Sequence, residues 1–342
     1  MNETILVTGG TGYIGSHTVV ELIEKNYDVV IIDNLSNSNS EVIDHIEQIT
    51  SKRPAFEKLD LCDSKNLELF FRKYSAIRSI IHFAALKAVG ESVEKPLEYY
   101  RNNLVSMMNL MEMMKKFNIP DLVFSSSCTV YGQPDQLPVK ESSPLLPPTS
   151  PYGNTKKICE DIMRDTVGGG TNVNAISLRY FNPVGAHPSA LIGELPVGIP
   201  LNLVPYLTQT ASGVREELRI FGNDYDTPDG TGIRDYIYVV DLAKAHVKAI
   251  QRLHDKKNKN PYEIFNLGTG SGVSVLDIIH TFEKATGIKL KYRIYPRRSG
   301  DIACIYADAS FANRELGWKA LTPLSDIMLS AWNWEKKLRK IK

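Results

Sequence analysis

The sequence holds few cysteines, no long apolar run and no surplus of either charge. Cys62, Cys128, Cys159 and Cys304 lie far apart with no CxxC pair. That scatter argues against a disulfide framework or a zinc site, so no metal is expected and reduced thiols in the cytoplasm are the simpler reading. Nowhere do about 18 apolar residues follow one another, the length that a membrane-spanning helix needs. The opening MNETILVTGG lacks a basic stretch followed by an apolar one, so no secretory signal is read there. The 40 Lys and Arg meet 39 Asp and Glu, a net of +1. That balance excludes a chain built to coat a polyanion, because binding a nucleic-acid backbone needs a large basic excess. With 43% apolar residues, disorder is excluded too. The expected protein is cytoplasmic and globular, with neither nucleic acid nor membrane as partner, and local pockets for small ligands remain open.

The 342 residues suggest roughly two domains, at about 150 residues each. In the first half, short apolar runs (Ile5 to Val7, Val29 to Ile32, Ser79 to Phe83, Leu122 to Ser125, Ala175 to Leu178) read as strands. Segments beginning near Tyr13, Ser64, Pro96 and Pro151 read as helices between them. Continuous apolar strands alternating with helices predict an α/β fold, a doubly wound parallel sheet covered on both faces. After residue 181 the connections become rich in Gly and Pro. Strands near Tyr236 to Val240 and Glu263 to Leu267, with a helix from Asp241 between them, are expected to rejoin the sheet. Residues 1–181, with 235–267 returning, then form one domain. Residues 182–234 and 268–342 form a smaller α/β domain at the strand ends. The basic Lys336-to-Lys342 tail reads as a solvated helix end, where cations are favoured.

Gly9-Gly10-Thr11-Gly12-Tyr13-Ile14-Gly15 follows the first strand and opens a helix. Glycines at 9, 12 and 15 allow a tight turn, close approach of backbone to a pyrophosphate, and close packing of helix on strand. Asp33 ends the second strand, 18 residues after Gly15, where a carboxylate can accept both hydroxyls of an adenosine ribose. No Arg lies nearby to welcome a 2′-phosphate, so NAD is favoured over NADP, with Asn34, Ser36 and Asn37 as polar supports. The first domain thereby reads as a Rossmann NAD-binding domain.

A second constellation is Tyr152-Gly153-Asn154-Thr155-Lys156. Ser150 and Pro151 look like an N-cap and a first helical residue, which puts Tyr152 in the first turn and Lys156 on the same face. A phenol with a pKa of about 10 is a poor base at neutral pH, but a neighbouring ammonium favours the phenolate. In isolation the pair equally describes a polar helix face. Its place after a nucleotide fingerprint and after Ser125-Ser126-Ser127 at a strand end sets it apart.

The chain resembles the extended short-chain dehydrogenase/reductase family, and within it the UDP-galactose 4-epimerases. The likeness is carried through nearly the whole length by TGGTGYIG, IHFAALKAVGES, SSSCTVYG, SPYGNTK, LRYFNPVGAH, FGNDYDTPDGTGIRDYI and RRSGD. The resemblance implies Tyr152 as the acid/base, Lys156 as the residue tuning it and holding the nicotinamide ribose, and Ser127 as hydroxyl partner. It implies cofactor contacts at Phe83, Ala84, Lys87, Asp60, Leu61, Asn102 and Tyr180. Nucleotide-sugar contacts fall on Lys87, Ser127, Asn182, Asn202, Phe221, Arg234, Arg298 and Asp301. It also implies a homodimer built on the helices near Pro96 and Pro151.

Three positions depart from the family pattern. Leu201 stands where a second Asn often precedes Asn202, and Cys128-Thr129 stand where sugar-nucleotide dehydratases carry Asp-Glu. Dehydration is therefore not expected. Ile305, four residues after Asp301, is of intermediate bulk where a large Tyr goes with plain hexoses and a small residue with N-acetylated ones. It equally reads as a residue packing the pocket wall. The implied activity is inversion at carbon 4 of a UDP-hexose, UDP-glucose or UDP-galactose, through a transient 4-keto sugar with tightly bound NAD. Alternatives are a preference for UDP-N-acetylhexosamines, or an NAD-binding sensor without chemistry.

Overall fold

The computed structural model describes residues 3–298 and 301–341. Strands β1 (Thr4–Thr8), β2 (Asp28–Asp33), β3 (Ala55–Lys58), β4 (Ile77–His82), β5 (Asp121–Ser125) and β6 (Asn174–Tyr180) join Tyr262–Leu267 in one seven-stranded sheet. The order is Tyr262–Leu267, β6, β5, β4, β1, β2, β3, and all neighbouring pairs are parallel. The central strands are mostly apolar and buried because both faces are covered. On one face, Val19, Val20 and Leu22 of α1 (Tyr13–Glu24) pack with Leu242, Ala249 and Ile250 of the helix Val239–His254. On the other lie α3 (Ser64–Lys73), α5 (Pro96–Phe117) and α6 (Pro151–Gly168), through Phe70, Phe71, Met107, Leu110 and Met163. The chain leaves β1 toward β2 and β3 on one side and later crosses to β4 on the other. This reversal opens a crevice at the carboxyl ends of β1 and β4.

The expected strands and helices of the first half are present within a residue or two. Several elements had no clear signal, among them the short helix α4 (Val89–Glu94). α2 (Glu41–Thr50) buries only Ile43 and Ile46, and the edge strand β3 carries Glu57 and Lys58 among its four residues. Tyr236–Tyr238, expected in the main sheet, instead pairs with Asn182–Val184 in a separate parallel ladder, and Val239 already opens a helix. Only Tyr262–Leu267 of that region joins the main sheet. The physical reason is that the chain turns out of the sheet after Tyr180. Asn182–Val184 therefore offers its backbone groups to the second ladder.

The remaining elements gather around Val204, Leu207, Ile220, Ile278, Phe282, Met328 and Trp332. They include the helix Leu203–Ala211, a parallel pair Leu218–Phe221 with Tyr292–Tyr295, and a small ladder joining Ile233–Arg234 to Val273–Ser274 and Cys304–Ile305. The helices Val275–Thr286 and Leu324–Arg339 complete this group. Tyr13 at the start of α1 links the two regions by donating its hydroxyl to the Gly185 carbonyl at 2.6 Å. Among the described residues no helix is long and apolar enough to cross a membrane.

Candidate active site

The turn after β1 is shaped by what its glycines lack. Gly9 sits at φ +72°, and a Cβ there would lie 2.7 Å from the Ala84 backbone nitrogen. A Cβ on Gly15 would lie 2.2 Å from the Gly9 carbonyl oxygen. Only hydrogen side chains let the turn run against the segment after β4 while α1 packs down on the turn. Gly12 is the N-cap of α1 and offers no side chain, so the first-turn N–H groups remain available to an anion, with Tyr13 and Ile14 half-buried beside them.

At the tip of β2, the buried Asp33 carboxylate accepts from Thr11 N (3.2 Å), Leu35 N (2.9 Å) and Ser38 Oγ (3.2 Å). The side chain that supports Asp33 directly is Ser38, and Ser36 and Asn37 stand exposed beside it. Ser36 only donates its backbone N–H to Asn34 Oδ1 at 3.0 Å. Asn34 in turn reaches Asp60 Oδ2 at 3.3 Å, which brings the β2 and β3 ends together. Leu61 is buried, its carbonyl accepting from Asn109 of α5. After β4, Phe83 and Ala84 both donate backbone N–H groups to Thr8 O, and Phe83 packs on His246 with ring centres 4.6 Å apart. Asn102 donates to Asn103 Oδ1, and Asn103 continues to Thr155 of α6. A glycine cradle, a fixed carboxylate at the β2 tip and first-turn N–H groups between them fit NAD, and the carboxylate disfavours a 2′-phosphate at the same point.

Ser150 caps α6, its Oγ accepting from Gly153 N at 3.2 Å, and Pro151 takes the first helical position. Tyr152 and Lys156 consequently face the ends of β5 and β6 from the first two turns. Lys156 Nζ donates to Ser125 O at 2.8 Å and lies 5.9 Å from the centre of the Tyr152 ring. Both side chains are buried. Burial pushes the Lys156 ammonium down to about 8 and the Tyr152 phenol well above 10, while the Ser127 hydroxyl beside Tyr152 pulls the other way. Spacing alone suggested an ammonium that favours phenolate. In the folded chain desolvation outweighs that pull, because removing both groups from water disfavours both charges.

Ser127 also caps the short turn Cys128–Tyr131, accepting from Thr129 N. Tyr180 accepts from Ser125 Oγ at 3.2 Å and is pushed up to about 12 by burial. Beneath the serines, Ser126 Oγ donates to Glu160 Oε1 at 2.6 Å, and Glu160 pairs with the fully buried Arg179, which reaches the Tyr131 hydroxyl.

The second group of expected residues lies partly on the small ladders and partly on the connections around them. Ile305 and Arg234 are in register, and Arg234 Nη2 donates to Asp301 Oδ1 at 2.7 Å. The Arg298 guanidinium sits 3.9 Å from the centre of the Phe221 ring. Asn182 is half-buried and bonded through its backbone to Asp235 O. Asn202 is exposed and donates to Glu194 Oε1 at 2.8 Å, and the exposed Lys87 has its Nζ 3.6 Å from the same oxygen. Leu201 is exposed, and Ile305 is 4% exposed in a cluster with Val130, Tyr131 and Phe181, with Cys128 packed against it. Ser299 and Gly300 of the RRSGD stretch lie outside the described residues. Sequence reading passed over Thr11, Ser38, Ser125 as a carbonyl acceptor, and Glu194. Ser38 is one of several polar residues in LSNSNS, a backbone carbonyl has no sequence signature, and Glu194 is a lone acid in a Gly- and Pro-rich connection.

Residues 5–268 match the family model for the NAD dependent epimerase/dehydratase family. A UDP-glucose 4-epimerase of Dictyostelium discoideum is 52% identical over 98% of this chain and 96% of its own. One from Homo sapiens is 50% identical over 98% and 97%. The crystal structure of a Stenotrophomonas maltophila UDP-glucose-4-epimerase, with bound NAD and formylated UDP-arabinopyranose, aligns with a TM-score of 0.96 at 47% identity over the whole of both chains. That of Bifidobacterium longum UDP-glucose 4-epimerase, in complex with NAD+ and UDP, aligns at 0.93 with 50% identity over 98% of each. The chain belongs to the NAD dependent epimerase/dehydratase family, on the branch of the UDP-glucose 4-epimerases.

Proposed function

We propose that the protein inverts carbon 4 of a UDP-hexose, interconverting UDP-glucose and UDP-galactose through a transient 4-keto sugar. The observation that carries this reading is the buried set of Tyr152, Lys156 and Ser127, gathered at the strand ends beside the glycine turn, in a chain half identical to UDP-glucose 4-epimerases from end to end. Residues 1–181 with the 235–267 segment hold NAD, and 182–234 with 268–342 hold the sugar nucleotide.

Bound NAD supplies the hydride acceptor and donor, and its positive ring adds the charge that the buried phenol needs to ionise. Tyr152 takes the proton from the 4-hydroxyl and returns it, and Ser127 shares that proton from the neighbouring strand end. Lys156, tied to Ser125 O, holds the cofactor ribose and keeps a cation near the ring of Tyr152. Arg234 and Arg298 anchor the diphosphate, a role that suits their planar fork, and Asp301 holds Arg234 in place. Phe221 receives the uracil, while Asn182 and Asn202 supply amides. Tight anchoring of the nucleotide with few sugar contacts lets the keto sugar turn between its two faces.

The test is direct. Purified protein is expected to interconvert UDP-glucose and UDP-galactose without added reductant, and no turnover at saturating NAD overturns the reading. Running the N-acetylated pair alongside measures what Ile305 admits. Tyr152→Phe is expected to lower kcat by about 10²–10⁴-fold while NAD stays bound.

A homodimer in the cytoplasm completes the proposal. α5 leaves Leu97 77% exposed and Met108 43% exposed, beside α6, against which it packs. Leu97→Arg with Met108→Arg is expected to turn a dimeric mass in light scattering into a monomeric one, and a wild-type monomer refutes the dimer. Four free cysteines among the described residues fit a reducing compartment.

A further inference from the structure

Asn202 stands before the helix Leu203–Ala211 and does not cap it with its side chain, although Asn is among the best capping residues. The third helical residue is Pro205, which has no N–H for a cap to accept from. The amide turns instead to Glu194, whose Oε1 accepts from Asn202 Nδ2 at 2.8 Å and lies 3.6 Å from Lys87 Nζ. A single carboxylate oxygen therefore gathers two of the polar side chains expected to meet the sugar nucleotide, from different regions of the fold.

Glu194 is itself held firmly. Its carbonyl accepts from Trp334 Nε1 of the C-terminal helix at 3.0 Å, and the preceding Gly193 lies flat on that indole, so that a Cβ there would come within 2.7 Å of the ring. Its side chain is only 12% exposed, against 54% for that of Lys87. A carboxylate only accepts, so Asn202 must present its NH₂ to Glu194. The orientation of the amide is thereby set before any ligand arrives. The long Lys87 stem, which otherwise samples many rotamers, is drawn to one place, and its charge offsets that of a carboxylate standing near an anionic ligand.

We propose that Glu194 is a positioning residue for nucleotide-sugar binding, which holds the Asn202 amide and the Lys87 ammonium ready for the diphosphate. The proposal rests on the UDP-sugar reading above, but its test does not need turnover. The probe is UDP, titrated calorimetrically into the NAD-loaded wild type, Glu194→Gln, Asn202→Ala and the double variant. Glu194→Gln keeps the shape and removes the charge, so its amide can meet Asn202 either way round. It is expected to weaken UDP binding, and to raise KM, by about 5–20-fold, with kcat changed less than about twofold and NAD content and melting temperature unchanged, as for the loss of a charge-assisted contact. Because Glu194 acts through Asn202, the double variant is expected to lose clearly less than the product of the two single losses. Unchanged or tighter UDP binding in Glu194→Gln overturns the proposal, the tighter case marking the carboxylate as a competitor of the diphosphate. Fully multiplicative losses overturn it too, as does a loss that comes with a fallen melting temperature. A wild type that binds UDP but turns nothing over sinks the epimerase reading alone.

Discussion

Lys156 combines a stability cost with its proposed function, and the two are separable by pH. Burial moves its ammonium from the usual 10.5 to about 8. At about 1.36 kcal/mol per unit, that shift amounts to about 3 kcal/mol of penalty. Below pH 8 both folded and unfolded chains carry the proton, so the folded state bears the whole penalty. Between about 8 and 10.5 the unfolded chain still holds a proton that the folded chain has released, so stability rises with pH, and above 10.5 the penalty is gone. Lys156→Met removes the titration and also the bond to Ser125 O, and the orphaned carbonyl costs about 1–3 kcal/mol at every pH. For cofactor-free protein we expect the Met variant to be as stable as the wild type or slightly more so at pH 7. The balance then swings toward the wild type by about 3 kcal/mol as pH approaches 10.5. Urea unfolding of both proteins at pH 7, 8, 9 and 10, followed by circular dichroism, reads the difference, and other titrating groups cancel because the two chains share them. A difference that does not change with pH would refute the reasoning. In the activity assay the same variant is expected to lose turnover throughout.

Other outcomes follow from the same geometry. Gly15→Ala forces a methyl to within 2.2 Å of the Gly9 carbonyl and is expected to purify without NAD, whereas Gly90→Ala, with nothing within 4 Å, retains it. Absorbance and enzymatic NAD release after denaturation distinguish the two. Glu160→Gln strips the partner from the buried Arg179 guanidinium, and a loss of about 3–5 kcal/mol is expected from the shift in urea midpoint. Arg298→Met leaves Phe221 without its stacked cation and is expected to weaken UDP by about 10–100-fold in calorimetry, with melting temperature unchanged.

Much of the fold was legible because local chemistry is strong there. α6 shows its Ser-Pro start, α1 its glycine turn, and β1, β2, β4, β5 and β6 their short, mostly apolar runs, as a sheet covered on both faces demands. The edge strand β3 was silent because an edge needs little burial, and α2 because only two of its side chains are buried. Tyr236–Tyr238 looked like a sheet strand and is a strand, but its partner depended on where the chain leaves β6.

The candidate site divides along the same line. Residue identity and spacing pointed to Gly9, Gly12, Gly15, Asp33, Tyr152 and Lys156 as candidates, because each stands at a fixed offset from the end of an element, and such offsets survive in one dimension. The sequence could not show that Ser38 rather than Ser36 serves Asp33, that Ser125 offers Lys156 its carbonyl, or that Glu194 ties Lys87 to Asn202. Nor could it show how strongly burial raises the Tyr152 phenol before a cationic cofactor ring is added. Desolvation and long-range hydrogen bonds depend on which atoms surround a group in three dimensions, and only folding sets those neighbours.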